Sequence, residues 1–208
     1  HRFGVLQRAA LASRGADRSI PHCLVMTATP IPRTLSLTLY GDLDVSVIDE
    51  LPPGRTPVES ALVRSGEGSV VLDAVIETLE RGEQVYVVYP LVEKSEKLDL
   101  RNAKESAEKL ARALPHSRVD LVHGRLDAEQ RAAAMARFEG GETGVLVATS
   151  VIEVGVDVAN ATLIIVEHAE RFGLAQLHQL RGRVGRGLRP GSCLLVSRGG
   201  GEDSEARL

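Results

Sequence analysis

Apolar residues in this chain fall into short continuous runs that alternate with longer stretches of helical spacing. "CLVMTAT" (23–29) reads as a buried strand, "PRTLSLTLYG" (32–41) as a helix ended by glycine, and "DVSVIDEL" (44–51) as a second strand. "PPGRTP" (52–57) then packs three prolines and a glycine into six residues, a linker signature. A domain boundary is expected there, between 54 and 55. Beyond it, Val71, Val75 and Leu79 mark one helix face at i, i+4 and i+8. "QVYVVYPLV" (84–92) reads as a strand, "AKESAEKLARAL" (103–114) as a polar-faced helix and "RVDLVHG" (118–124) as a strand. Asp127 with Gln130 three residues on reads as a capping box opening a helix that ends near Phe138. "GVLVATS" (144–150), "ATLIIVEH" (161–168) and "GSCLLVS" (191–197) are further strands.

Continuous apolar strands alternating with helices predict an α/β fold, a mostly parallel β-sheet covered by helices on both faces. Ligands on such sheets bind beyond the carboxyl ends of the strands. Four polar segments follow strands: "TATPIPRT", "HGRL", "TSVIEVGVDV" and the stretch holding "QLHQLRGRVGR". They are expected to gather at one edge of the sheet.

Composition narrows the partners. The 208 residues are 43% hydrophobic and 25% charged, ordinary for a globular chain with a sizeable core. No apolar run reaches the roughly 18 residues of a membrane span, and the start carries no signal-peptide pattern. A chain beginning at His1 reads as a fragment or a processed product. Cys23 and Cys193 each sit in apolar runs and are expected to be buried and reduced. No Cys/His spacing suggests zinc. The net charge is −3, with three tyrosines, three phenylalanines and no tryptophan. Bulk electrostatic wrapping of nucleic acid and a base-stacking platform are therefore not expected. Contact with DNA would rest on backbone amides and a few side chains.

Against that acidity, "QLRGRVGRG" (179–187) concentrates arginine among glycines. Laid on a helix over 174–186, Leu177, Leu180 and Val184 form one stripe. Gln179, Arg183 and Arg186 share a second face, and Arg181 points elsewhere. Two guanidiniums and an amide suit a nucleotide phosphate; the other reading is a solvated face with structural ion pairs. Gly182 and Gly185 would let another surface approach closely. Asp157 could hold a ribose hydroxyl or cap a turn. His123 could be functional or a satisfied turn histidine. Thr149 and Ser150 could meet a phosphate or cap the next segment.

Together these segments resemble the motor core of superfamily 2 helicases. "TATP" resembles motif III, "VATSVIEVGVDV" motif V and "QLRGRVGR" motif VI. "HRFGVLQR" is similar to the segment that begins at the histidine of a DEQH box, just after its acidic pair. "VMTATPIPRTLSLTLYGDLDVSVIDELPPGRTPV" and "YPLVEKSEKLDLRNAKE" closely resemble the bacterial branch-migration helicases. "ERFGLAQLHQLRGRVGRG" is shared with transcription-repair coupling translocases, whereas "IDELPPGR" and "EKSEKLDL" favour the branch-migration helicases. The resemblance runs from His1 to about Ser197.

It implies a P-loop NTPase-like helicase C-terminal architecture. Residues 1–54 would be the last part of a first RecA-like domain, 55–198 the second RecA-like domain, and 199–208 a linker toward a C-terminal hairpin. It implies an ATP-dependent DNA helicase of replication forks and four-way junctions, using ATP and Mg²⁺, in the bacterial cytoplasm. Its partners would be branched duplex DNA and the first RecA-like and wedge domains of the same protein. Arg183 and Arg186 would be arginine fingers on the γ-phosphate, with Gln179 on the same phosphate or its water. Asp157 would hold the ribose, with Gly155 shaping the loop. Thr27 and Thr29 would couple hydrolysis to DNA, and His123, Gly124, Thr149 and Ser150 would face the DNA backbone. The chain contains no G-x-x-x-x-G-K-[ST] loop, and the acidic pair for Mg²⁺ is expected before His1, so the chain alone is expected to be inactive. The alternatives are the motor of a coupling translocase and an ATP-independent docking module.

Overall fold

A computed structural model of the chain describes residues 24, 26, 46, 48, 50, 56–64, 66–90, 96–149, 158–187 and 189–199. The chain divides into two compact units, 1–48 and 49–208. The elements expected at 23–29, 32–41 and 44–51 lie almost wholly outside the described residues.

The second unit runs β1 (Glu59–Arg64), α1 (Gly68–Glu80), β2 (Gln84–Tyr89), α2 (Glu96–Ala113), β3 (Val119–Val122), α3 (Ala128–Glu139), β4 (Val145–Thr149), β5 (Ala161–Glu167), a 3₁₀ turn (Ala169–Arg171), α4 (Leu174–Arg181) and β6 (Ser192–Ser197). The strands form one sheet in the order β1-β6-β5-β2-β4-β3. Every pairing is parallel. All strands therefore end at the same edge, called here the carboxyl edge.

The central strands β2, β4 and β5 are buried along their whole length. Successive side chains point to opposite faces, and both faces are covered. Tyr86, Leu146 and Ile164 pack with Phe138 of α3 and Leu177 and Leu180 of α4. Val87, Val147 and Ile165 pack on the other face with Val75 of α1 and Ala103 of α2. This explains the nearly continuous apolar runs of these strands, which have no solvated face and carry polar residues only at or near their ends. The edge strand β1, "ESALVR", was not expected. Only Val63 of its six residues is buried, so it shows no apolar run.

Helix boundaries depend on local chemistry. α3 starts where the Asp127 carboxylate accepts the Gln130 amide at 2.7 Å, the N-cap half of the expected capping box. α2 begins at Glu96 rather than 103, and buried Asp99 accepts a two-pronged bond from Arg171 at 2.6 and 3.1 Å. α4 ends at Arg181, not at 186. Cys193 is buried, and burial pushes its thiol up to about 11; Cys23 lies outside the described residues.

Phe138 is fully buried, its ring centroid 4.8 Å from that of Tyr86. Phe138→Ala should cost about 3–5 kcal/mol, the usual range for a buried aromatic. Urea unfolding of the variant beside the parent chain checks this, and a loss under about 1 kcal/mol would contradict the packing described.

Candidate functional site

The arginine-rich segment is built by a reversal of the chain, not by a continuous helix. After Arg181 the backbone tightens, with the Arg183 amide donating to the Leu180 carbonyl at 2.9 Å. Gly185 then adopts φ +67°, the left-handed region that favours glycine. The chain turns back, and Arg186 Nε donates to the Gly182 carbonyl at 2.8 Å. The two candidate arginines are thus joined by a turn. The expected shared face over 174–186 is corrected: the helical spacing holds only through Arg181.

The glycines also serve differently from expectation. Gly182 caps α4, its amide donating to the His178 carbonyl at 3.1 Å. A Cβ at Gly185 would lie 3.2 Å from both the Gly191 amide nitrogen and Val58 Cγ2. A Cβ at Gly187 would lie 2.7 Å from the Ala159 carbonyl oxygen, a backbone atom with little room to yield. The close approaches that glycine permits here are internal to the unit.

These neighbours fix the location of the turn. Val58 precedes β1, Ala159 precedes β5 and Gly191 precedes β6, so the arginine turn sits at the amino edge of the sheet. The remaining described candidates sit at the opposite edge. His123 and Gly124 directly follow β3, and Thr149 ends β4. The expectation of a single edge for all polar loops is therefore corrected. α4 runs from the carboxyl edge back to the amino edge, and the arginines lie at its far end. Gln179 is half-buried on α4 itself.

Each described candidate has an environment. Arg183 is half-buried and Arg186 exposed. Arg181 Nη2 lies 3.2 Å from His178 Nδ1, one turn back, so it does belong elsewhere, although for a local reason. His123 is buried, and its Nδ1 accepts the Arg125 amide at 3.2 Å. Burial and the nearby charges of Lys104, Arg125 and Arg131 hold its pKa below the usual 6.5. It is therefore a neutral imidazole that also closes a turn. Thr149 is fully buried, and its Oγ1 meets no hydrogen-bond partner among the described residues. Thr27, Thr29, Ser150, Gly155 and Asp157 lie outside the described residues. Among the described residues, no group of three or more His, Cys, Asp or Glu side chains could hold a metal ion. No helix there is long and apolar enough to cross a membrane.

The sequence reading missed the corner that holds the amino edge together. Glu83, buried just before β2, accepts from Thr162 Oγ1 at 2.5 Å, Arg189 Nη1 at 2.9 Å and Arg81 Nε at 3.2 Å. Burial opposes its charge, but these donors outweigh it and hold the carboxyl below its ordinary range. Asn160 Nδ2 donates to the Gly82 carbonyl at 2.9 Å, and the Gln84 amide donates to the Asn160 carbonyl at 2.9 Å. The only sequence signal was a charged and an amide residue, Glu83 and Gln84, at the mouth of an apolar strand.

With this geometry in place, the class is defined: the chain belongs to the helicase conserved C-terminal domain family, whose family model matches residues 70–187, more than half of the chain. Its fold is the RecA-like domain of helicases, a parallel sheet with helices on both faces. Within that class it is similar to the ATP-dependent DNA helicase RecG. It is 55% identical over 196 residues to RecG of Acidithiobacillus ferridurans, covering 94% of this chain and 28% of that protein. With RecG of Escherichia coli (strain K12) it shares 54% identity over 198 residues, 94% of this chain and 29% of that protein. The chain thus spans less than a third of the length of these relatives. The structure of RecG bound to a three-way DNA junction matches it with a TM-score of 0.72 and 46% identity, over 86% of this chain and 23% of that one. The helicase Lhr of Mycobacterium smegmatis, bound to ssDNA and AMP-PNP, matches with a TM-score of 0.60 at 21% identity, over 83% of this chain and 23% of that one. At that identity the likeness is of fold alone.

The neutral state of His123 has a measurable consequence. Its folded pKa lies below the ordinary 6.5, so the unfolded chain binds the proton first. The stability this provides is present above pH 6.5 and is lost as pH falls through the folded pKa. Relative to His123→Asn, the parent should lose unfolding free energy between about pH 7.5 and pH 5.5, where an unperturbed histidine titrates. Urea unfolding at the two pH values reads the difference, and equal losses in both proteins would refute the assignment.

Proposed function

We propose that this chain is the second motor domain of a RecG-like, ATP-dependent DNA helicase that remodels replication forks and four-way junctions. The observation that carries the reading is the arginine turn. Gly185 folds Arg183 and Arg186 back on the end of α4, at the edge of the sheet opposite His123 and Thr149. A domain with two such edges can meet a nucleotide on one and a nucleic acid on the other.

In this reading Arg183 and Arg186 face the γ-phosphate of ATP held by a first RecA-like domain. Their guanidiniums offset the charge that spreads over the phosphoryl oxygens in the transition state. A finger arginine of this kind accelerates turnover by roughly 10³–10⁵. The exposure of Arg186 suits a partner that arrives from outside the unit. Gln179 contacts the same phosphate or orients its water, and Asp157 holds the ribose with Gly155 shaping its loop. Mg²⁺ belongs with the ATP, and its carboxylates would come from the first domain rather than from this unit. His123, Gly124, Thr149 and Ser150 face the DNA backbone, with Thr27 and Thr29 coupling the two edges. A neutral His123 can donate from Nε2 to a phosphate oxygen while Nδ1 keeps its bond to the Arg125 amide. The wedge domain of the full-length protein would present the branched duplex.

Substitutions in the full-length protein test this. Arg183→Ala and Arg186→Ala should each lower DNA-stimulated kcat by about 10³-fold or more and leave binding to forked DNA intact. Arg186→Lys should rescue poorly, because an ammonium lacks the planar fork of guanidinium. Arg181→Ala should be mild, since that side chain is turned onto His178. Near-normal turnover by Arg186→Ala would end the arginine-finger reading.

A second test uses the chain alone, whose sequence holds no G-x-x-x-x-G-K-[ST] loop. It should release no phosphate above buffer background when incubated with ATP and DNA. Turnover that persists through further purification would contradict the assignment.

A further inference from the structure

We infer that Arg189 and Glu83 form a positioning pair that sets where Arg183 and Arg186 point; this rests on the arginine-finger reading above. The arginine turn leaves α4 at Gly182 and must hold a fixed shape although it is a loop. Its fixed points are identifiable. Gly185 lies against Gly191 and Val58, and Gly187 against the Ala159 carbonyl. The Ala159 seat is itself fixed, because the next residue, Asn160, is bonded to Gly82 and Gln84. Arg189, three residues past Arg186, ties the far end to Glu83 Oε1 at 2.9 Å and to the Arg81 carbonyl at 3.3 Å.

The pair is built unevenly. The Glu83 side chain is 6% exposed and is held by Thr162 and Arg81 whether or not Arg189 is present. Arg189 is 55% exposed and has this corner as its anchor. A half-exposed ion pair contributes little to global stability. A buried carboxylate tethering an exposed arginine at the end of a functional loop therefore acts mainly on the placement of that loop. Placement matters here, because a shift of about 1 Å in a catalytic group can cost up to 10²-fold in rate. Arg189 and Glu83 touch no substrate in this account and act only through Arg183 and Arg186.

The test uses the full-length protein and variants of Arg189, because removing Glu83 would leave a buried corner with unpaired donors. Arg189→Ala should lower DNA-stimulated kcat by roughly 10- to 100-fold, with KM for ATP, affinity for forked DNA and the thermal midpoint unchanged. Arg189→Lys should recover much of the loss, since one ammonium can reach Glu83. In an Arg183→Ala/Arg186→Ala background, Arg189→Ala should have far less effect on the residual rate, because both groups it positions are gone. Normal kcat in Arg189→Ala overturns the proposal, as does a loss of kcat that is undiminished in the Arg183→Ala/Arg186→Ala background or tracks a lowered thermal midpoint. If Arg186→Ala alone keeps full turnover, the finger reading fails first and takes this proposal with it. If Arg186→Ala is inactive while Arg189→Ala is normal, only the positioning role fails.

Discussion

Three strands buried on both faces govern this structure. β2, β4 and β5 expose no side chain to water along their length, so helices must cross on both sides of the sheet. Parallel strands demand that each crossover bring the chain back to the amino edge. α4 is one such return. Its eight residues carry the chain roughly 12 Å, from the edge where β5 ends toward the edge where β6 begins. The arginine turn thereby lies at the opposite edge from His123 and Thr149, separated by strands roughly 16 Å long for five residues. The topology itself places the arginine turn and the His123 segment on opposite edges of one sheet.

The central fold was legible in the sequence for the same reason. A strand buried on both faces is apolar at nearly every position, and "QVYVVY", "VLVAT" and "ATLIIVE" announce themselves, their few polar residues lying at or near the strand ends. β1 did not, because an edge strand with one buried residue has neither an apolar run nor a clean alternation. The start of α2 was hidden by "EKLDLRN", whose buried Asp99 reads as a surface charge until Arg171, far along the chain, is brought against it.

The candidate site was legible in its residue types and less so in its geometry. Leu177 and Leu180 do face the core with helical spacing. Val184 is buried as well, which extends the apolar stripe and conceals the end of the helix. Gly185 was the clue to the change. A glycine among arginines can free space for a partner or permit a positive φ, and only the structure distinguishes them. The Glu83 corner could not be read at all. It joins residues drawn from three separate stretches of chain, Arg81–Gln84, Asn160–Thr162 and Arg189, and no spacing rule connects them.

In the proposed function the two edges serve different ligands. Hydrogen–deuterium exchange on the full-length protein measures this directly, with a non-hydrolysable ATP analogue and a forked duplex added separately. The analogue should slow exchange at 182–187 and leave 123–126 unchanged, while the fork should slow exchange at 123–126 and leave 182–187 unchanged. Protection of 182–187 by the fork in the absence of nucleotide, or no response there to the analogue, would contradict it.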